Sequence, residues 1–203
     1  VGGDNAPAAM IDGAIDAISK EKNVKVILVG IEDVIRKGLE GKTYNPEQIE
    51  IVNATEVIET AEPPVHAIRR KKDSSIVVGM KLVKEGKADA FVSAGSSGAI
   101  LVGGQVIVGR IKGVDRAPLA PLIPTEKGVS LLIDCGANVD ARPAHLLQFA
   151  KMGVHLYGEC SWYKGSEGRY REYRCGRREG AMHWSKIHFR QLKELPGINF
   201  TGR

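Results

Sequence analysis

The residues best suited to chemistry lie in a Gly-Ser-Ser-Gly turn at residues 95–98, within ADAFVSAGSSGAILVGGQVIVGRI at residues 88–111. This stretch predicts a buried strand, the turn, and then a long apolar helix. Such a turn leaves backbone N–H groups and two serine hydroxyls at a helix N-terminus, where unpaired donors and the helix dipole favour an anion. We therefore predict a phosphate-like ligand here. The small residues predicted to bind it are Ser93, Gly95, Ser96, Ser97 and Gly98.

Two other segments have the same small, polar composition and also precede predicted helices. They read GGDNAP at residues 2–7 and DCGAN at residues 134–138. Ligands of open α/β sheets bind beyond the carboxyl ends of the strands, so we expect the three turns to line one cleft. Neither GxGxxG nor GxxxxGK[ST] occurs, which disfavours a dinucleotide or Walker-type nucleotide site. The additional candidates from these two segments are Gly3, Asp4, Asn5, Asp134, Gly136 and Asn138.

Several of these candidates also have a structural interpretation. The candidates at residues 93–98 either bind a phosphate or oxyanion or serve to cap the helix. Asp4 and Asn5 either orient a substrate or cap the first helix, and Asn138 either points into the cleft or forms an Asx turn. Asp134 is either a hydrogen-bond acceptor for catalysis or a turn residue.

Other polar residues are candidates for the same site. Arg110 and Arg116 either bring positive charge to phosphate, because a guanidinium contacts it in a bidentate way, or are ordinary surface residues. Cys135 lacks a histidine partner and is predicted to be a small buried residue. His145 is predicted to lie on the surface.

The first 158 residues alternate helices with strands. Apolar spacing predicts a helix just after Pro7, strands at residues 24–30 and 49–53, and a helix between them. The segment after Pro63-Pro64 predicts a helix at residues 74–85 capped by Ser74. A proline-rich loop through Pro118, Pro121 and Pro124, a strand at residues 129–134 and a helix at residues 143–156 follow. This order predicts an α/β protein, a three-layer α/β/α sandwich with a mostly parallel sheet.

Composition bounds the class of protein. The 203 residues are 43% hydrophobic and 26% charged, as in an ordinary globular protein. We expect no membrane span, no secretory leader and a cytoplasmic location. Three cysteines form neither a metal-ligand spacing nor a disulfide framework, so we expect no metal site and a reducing compartment. We also expect no cofactor.

The three turns and their surroundings together resemble a known family. The matching text is GGDNAP at 2–7, KKDSSIVVGMKLVKEGKADAFVSAGSSGAILVG at 71–103, RAPLAPLIPT at 116–125 and LLIDCGANVDARPAHLLQFAKMG at 131–153. This text resembles the bacterial phosphate acyltransferases, which transfer an acyl group from acyl carrier protein to phosphate. The family usually has Asn-Thr where this chain has Ser96-Ser97. The resemblance also implies that the chain is truncated at both ends.

The resemblance implies a function and partners. The expected reaction moves a fatty acyl group from acyl carrier protein to inorganic phosphate, giving acyl phosphate for phospholipid synthesis. It implies a fold similar to phosphate acetyltransferases and isocitrate-type dehydrogenases, a homodimer, and peripheral contact with the inner membrane surface. Alternatives are a phosphotransacetylase-like enzyme using acyl-CoA and a non-catalytic fragment that binds phosphate or a partner. The basic run at residues 69–72 is either a solvated helix face or a docking patch for the acidic carrier protein.

Residues 160–188, CSWYKGSEGRYREYRCGRREGAMHWSKIH, differ from the rest of the chain. They hold both tryptophans and seven Lys and Arg against three Glu, which is +4 of the net +5. A neighbouring reading frame of residues 161–178 can spell LGIKDRRVGIENIGAEEG, which resembles the family's continuation. We interpret the window as a frameshifted translation, with a real insertion as the alternative. A nucleic-acid surface is disfavoured because the window has no known module, so no nucleic-acid partner is expected.

The predicted domain organisation follows from these boundaries. We predict an α/β domain at residues 1–159, the anomalous segment at 160–188, and a family-like helix with the start of a strand at 189–203.

Overall fold

The computed structural model describes residues 3, 5–126, 128–138, 141–160, 191, 194 and 196, the last four of the 141–160 stretch by their backbone alone. The chain forms two compact units, Val1–Arg110 and Ile111–Arg203. The predicted anomalous segment and most of the predicted helix and strand beyond it lie outside the described residues. The predicted division into three segments stays a prediction.

The first unit begins with a parallel pair of strands and the helices that contact it. Both strands pair over their full length, from Val26 opposite Ile49 to Gly30 opposite Asn53. The helix between the strands makes the crossover that a parallel pair needs. All four elements confirm the predicted ones. They are α1 (Ala8–Lys20), β1 (Val26–Gly30), α2 (Glu32–Leu39) and β2 (Ile49–Asn53).

Apolar periodicity explains why α1 and α2 lie where they do. Ile11, Ala14 and Ile18 recur on one face of α1 and are buried. Ile11 packs with Leu28 of β1 and Ile35 of α2 in a first hydrophobic cluster. This cluster is the core of the strand–helix–strand part of the unit.

A second hydrophobic cluster belongs to the helices that follow β2. It joins Ile68, Met80 and Ala99, one from each helix, to Ile58 in the preceding loop. The last helix continues through a π-helical turn, Gly104–Val108, and ends at Gly109 with φ of +103°. The three helices are α3 (Pro64–Arg70), α4 (Ser75–Lys84) and α5 (Ser97–Gly103). Helix α4 also contacts β1.

The predicted buried strand before the Gly-Ser-Ser-Gly turn is wrong. Residues 88–93 have no strand assignment, and Val92 is 92% exposed. Phe91 does pack inward, since its ring occupies the space where a Cβ of Gly79 would lie. A strand also requires a neighbour for its backbone, and among the described residues none pairs with this segment. Apolar composition therefore predicted the packing of Phe91 and not the backbone pairing.

The second unit contains an antiparallel hairpin and one long helix. Strand β3 (Leu122–Thr125) pairs with β4 (Gly128–Leu131), in place of the predicted loop at Pro124 and the longer strand at 129–134. Pro124 is tolerated because it pairs with Val129 at a non-hydrogen-bonded position of the antiparallel ladder, where the backbone nitrogen faces away from the partner strand. Helix α6 (Pro143–Cys160) confirms the predicted last helix.

The observed elements make this an α/β protein with a parallel strand pair covered by helices, as predicted. Helices α1, α2 and α4 all contact that pair. The finer expectation of three complete layers stays a prediction. Within the described part of the chain, no helix is both long enough and apolar enough to span a bilayer.

Candidate functional site

The Gly-Ser-Ser-Gly turn leads directly into helix α5. Ser96 is 4% exposed, and its Oγ accepts a hydrogen bond from the N–H of Ala99 at 3.3 Å. Its carbonyl accepts from the N–H of Ile100 at 3.0 Å, so Ser96 is the N-cap of the helix. Ser97 beside it is exposed. The hydroxyl of Ser96 therefore caps the helix, whereas Ser97, the first residue of the helix, is exposed to solvent.

The approach to the turn is held by a second serine. The Oγ of Ser93 accepts a hydrogen bond from the N–H of Gly95 at 3.1 Å. This local bond bends the chain immediately before the helix begins. The backbone N–H groups of Ser97 and Gly98 come before the first intrahelical hydrogen bond, which is the position where anions bind at helix N-termini.

Glycines let helix α5 approach its neighbours closely. A Cβ on Gly98 would lie 2.7 Å from Cγ of Pro64, the first residue of α3. A Cβ on Gly103 would lie 2.4 Å from Sδ of Met80 in α4. Ala99 between them is 0% exposed. Gly98, a predicted binding residue, therefore also has a packing role that requires glycine.

Two of the three predicted turns meet in the first unit. Gly3 has φ of +108°, and a Cβ there would lie 3.0 Å from the carbonyl oxygen of Ala94, which adjoins the Gly-Ser-Ser-Gly turn. Asn5 is exposed, and its carbonyl accepts from the N–H of Ala9 at the start of α1. Asp4 lies outside the described residues. Gly3 of GGDNAP thus lies beside Ala94, the residue immediately before the turn.

The loop after β2 is fastened to the start of α4 by hydrogen bonds that the sequence analysis missed. The Oδ2 of Asp73 accepts from both the hydroxyl and the N–H of Thr55. The N–H of Asp73 donates to the carboxylate of Glu56 at 2.9 Å. The hydrogen bonds from Thr55 hold the pKa of Asp73 below its usual value. The loop is thereby fixed at the carboxyl end of β2.

Lys71 differs from the rest of the basic run at residues 69–72. Its Nζ lies 2.6 Å from Oε1 of Glu62 and 2.6 Å from the carbonyl oxygen of Val57. The hydrogen bond from Lys71, with a second from the N–H of Glu59, holds the pKa of Glu62 below its usual value. Arg69 and Arg70 are exposed. Lys71 is therefore engaged within the protein, whereas its arginine neighbours face solvent.

In the second unit, Asp134 and Asn138 hold the loop at residues 116–121. The Oδ1 of Asp134 accepts from the N–H of Leu119 at 2.7 Å, and its Oδ2 accepts from the N–H of Asn138 at 2.8 Å. The side-chain amide of Asn138 donates to the carbonyl of Ala117 at 3.1 Å. Both predicted catalytic residues therefore bind backbone groups of their own unit.

The remaining predicted residues lie nearby or at the unit boundary. Gly136 has φ of +81°, which explains the glycine in this turn. Cys135 is half-buried, and its N–H donates to the carbonyl of Leu119 at 2.8 Å. Arg116 is exposed at the start of the loop, and Arg110 is exposed at the end of the first unit.

Helix α6 contributes two polar residues whose roles the sequence did not reveal. His145, predicted to lie on the surface, is buried at 7% exposure because its Nδ1 accepts from the N–H of Arg142 and its ring stacks on Phe149. Gln148 binds the N–H of Asp115 through Oε1 and the carbonyl of Gly113 through Nε2. No spacing in the sequence relates Gln148 to a loop more than thirty positions earlier.

The Gly-Ser-Ser-Gly turn offers neutral hydrogen-bond donors. Backbone N–H groups and hydroxyls at the turn suit an oxyanion or a phosphate. Among the residues that the structure describes, no group of three or more His, Cys, Asp and Glu side chains is placed to hold a metal ion. The assignment of individual residues to substrate contact stays a prediction.

Comparison with known proteins identifies the class to which this α/β fold and these turns belong. The chain matches the family described as fatty acid synthesis protein over residues 1–203. It is 48% identical over 203 residues to the phosphate acyltransferase of Clostridium acetobutylicum, covering 100% of this chain and 60% of that protein. It is 52% identical over 153 residues to that of Clostridium kluyveri, covering 75% of this chain and 46% of that protein.

A third relative, the phosphate acyltransferase of Clostridium beijerinckii, is 44% identical over 211 residues, covering 100% of this chain and 60% of that protein. The class is thus that of acyl-transferring enzymes of fatty acid synthesis. The chain belongs to the phosphate acyltransferase family, which confirms the resemblance. It spans 60% of the length of the two relatives that it matches from end to end.

Proposed function

We propose that this chain takes part in transferring a fatty acyl group from acyl carrier protein to inorganic phosphate. An oxygen of phosphate attacks the thioester carbon, the carbon–sulfur bond breaks, and the carrier leaves as a thiolate that takes up a proton. The products are acyl phosphate and the free carrier thiol. Phosphate is already anionic at neutral pH, so the protein's tasks are to position it and to stabilise the oxyanion.

The contact of Gly3 with Ala94 carries this proposal. It brings the backbone of GGDNAP to the Gly-Ser-Ser-Gly turn, and both segments belong to the text shared with the family. In the proposal, the N–H groups of Ser97 and Gly98, with the hydroxyl of Ser97, bind phosphate. Arg116 and Arg110 add positive charge.

The donor side of the proposal concerns the basic residues beside helix α3. Acyl carrier protein is acidic, so exposed cations favour its docking through long-range attraction. Arg69, Arg70 and Lys72 are exposed and suit this role. We also propose a homodimer that works in the cytoplasm and peripherally at the inner membrane surface, as the family resemblance implies.

A thiol-release assay with the 203-residue chain tests the reaction. Acyl-acyl carrier protein and acyl-CoA are compared, each with and without phosphate, and phosphate binding is measured by calorimetry. We expect phosphate-dependent release that is faster from the carrier protein. Faster release from acyl-CoA would favour a phosphotransacetylase-like enzyme. Phosphate binding without release from either donor would favour a non-catalytic binding fragment, and neither binding nor release would refute the proposal.

A further inference from the structure

We propose that Gln148 and Asn138 are positioning residues that present Arg116 to an anionic substrate. The inference rests on the proposed function, because it takes inorganic phosphate as the anion. All three residues belong to the second unit. The sequence pattern indicated no role for Gln148. Both Gln148 and Asn138 act here through Arg116.

Arg116 lies between two anchored backbone positions. On its amino-terminal side, the N–H of Asp115 donates to Oε1 of Gln148 at 3.0 Å. On its carboxyl-terminal side, the carbonyl of Ala117 accepts from the side-chain amide of Asn138 at 3.1 Å. The residue between these two bonds is itself exposed. The loop is thus held on both sides of one exposed arginine.

Each anchor is braced by a second set of bonds. The Nε2 of Gln148 donates to the carbonyl of Gly113 at 3.2 Å and to Oδ2 of Asp115 at 3.3 Å, so this amide bridges both ends of a short turn. Asp134 accepts the N–H groups of Asn138 and Leu119 with its two carboxylate oxygens. These bonds hold Asn138 in place, so that its side-chain amide stays within hydrogen-bonding distance of the carbonyl of Ala117.

Such bracing matters because arginine recognises phosphate through a rigid, planar fork of donors. An arginine on a free loop loses backbone freedom when it binds, and that loss lowers the affinity. Side-chain amides that hold the neighbouring peptide groups remove much of this cost before the ligand arrives. Gln148 and Asn138 are therefore expected to raise phosphate affinity without touching phosphate.

Phosphate binding by the 203-residue chain, measured by calorimetry, provides the test. We expect Arg116→Ala to weaken binding about tenfold, as for the loss of a charged hydrogen bond. Gln148→Ala and Asn138→Ala are each expected to weaken it about threefold. If both act through Arg116, adding either change to Arg116→Ala produces no further loss. Arg142→Ala is the matched control, since that exposed arginine in the same unit bonds to His145 and Leu146 through its backbone N–H and carbonyl, which the substitution keeps.

Each outcome has a distinct meaning. Full affinity in both amide variants, with weakened binding in Arg116→Ala, would overturn the inference and leave the proposed function intact. Additive losses in the double variants would also overturn it, because they would show independent effects. Circular dichroism confirms that each variant is folded, and the two amide variants lie on different elements, so a folding failure in one leaves the other. Absence of phosphate binding by the unaltered chain would refute the proposed function and this inference with it.

Discussion

The ring of Pro64 occupies the place where a side chain at Gly98 would lie, with 2.7 Å between Cγ of the proline and the position of a Cβ. The first residue of α3 and the second residue of α5 are therefore in direct contact. This contact joins the Gly-Ser-Ser-Gly turn to helix α3, whose Ile68 belongs to the second hydrophobic cluster of the first unit. It also makes the turn sensitive to a single methyl group.

Gly98→Ala is expected to lower the free energy of unfolding by about 1–3 kcal/mol, as for other overpacked sites. The proline ring is rigid, so the helix has to move instead. Denaturant unfolding followed by circular dichroism measures the change. Gly104→Ala is the matched control, because nothing lies within 4 Å of its Cβ position, and alanine there is expected to stabilise the helix by about 0.5–1 kcal/mol. Equal effects of the two substitutions would contradict the packing role.

Substitutions of the two serines of the turn are expected to have different effects: one should lower the unfolding free energy and the other should weaken phosphate binding. Ser96→Ala removes the helix cap and should cost about 1 kcal/mol of unfolding free energy. Ser97→Ala removes an exposed hydroxyl and should leave that free energy unchanged while weakening phosphate binding. Thermal unfolding and phosphate calorimetry on both variants check this pairing. A loss of stability in Ser97→Ala equal to that in Ser96→Ala would contradict it.

Acidification is expected to weaken the contact between Lys71 and Glu62. Because the pKa of Glu62 in the folded protein lies below its ordinary value of 4.5, its charged form stabilises the fold above that pH. That contribution disappears as the pH falls through the lower, folded pKa. Denaturant unfolding between pH 3 and pH 7 should therefore show a smaller acid-induced loss in Glu62→Gln and in Lys71→Met. The double variant should lose as much unfolding free energy on acidification as either single variant. A loss equal to that of the unaltered protein in all three variants would refute the coupling.

Within the basic run at residues 69–72, the three exposed cations are expected to bind acyl carrier protein, whereas Lys71 is not. Replacing Arg69, Arg70 and Lys72 with alanine should weaken the binding of acyl carrier protein and flatten its dependence on salt. Lys71→Met alone should leave the salt dependence unchanged, because that ammonium is bound to Glu62. Binding measured from low to high ionic strength tests both statements. Unchanged affinity of the triple variant at low salt would eliminate the docking patch.

The frameshift interpretation of residues 160–188 makes a prediction about the gene. Its codons over residues 161–178 should spell LGIKDRRVGIENIGAEEG or a close variant in a neighbouring frame. Sequencing the gene tests this directly. Codons that allow no such alternative reading would favour a real insertion.

Elements set by local periodicity were predictable from the sequence. The buried face of α1, the β-branched run of β1 and the Ser74 cap of α4 each depend on residues a few positions apart, and all three are present. Helix α3 was missed because only seven residues, starting at Pro64, carry its pattern. The strand at residues 88–93 was wrong because pairing depends on a distant neighbour.

The segments that form the candidate site were predictable from the sequence, but the hydrogen-bond partners of its residues were not. GGDNAP and the Gly-Ser-Ser-Gly turn were expected to converge, and Gly3 does contact Ala94. Leu119, one partner of Asp134, lies 15 positions away, and Asp115, one partner of Gln148, lies 33 positions away. Both bond through backbone N–H groups, which carry no residue signature. Local patterns cannot reveal such bonds, because any residue supplies the same N–H or carbonyl.

Different buried residues form the two hydrophobic clusters that the structure describes in the first unit. Ala99, which follows the turn, belongs to the cluster of Ile68 and Met80, whereas Ile11, Leu28 and Ile35 form the other. Effects of substitutions at separate sites without common partners are close to additive. Substitutions at Ile11 and Ala99 are therefore expected to lower the free energy of unfolding by nearly independent amounts.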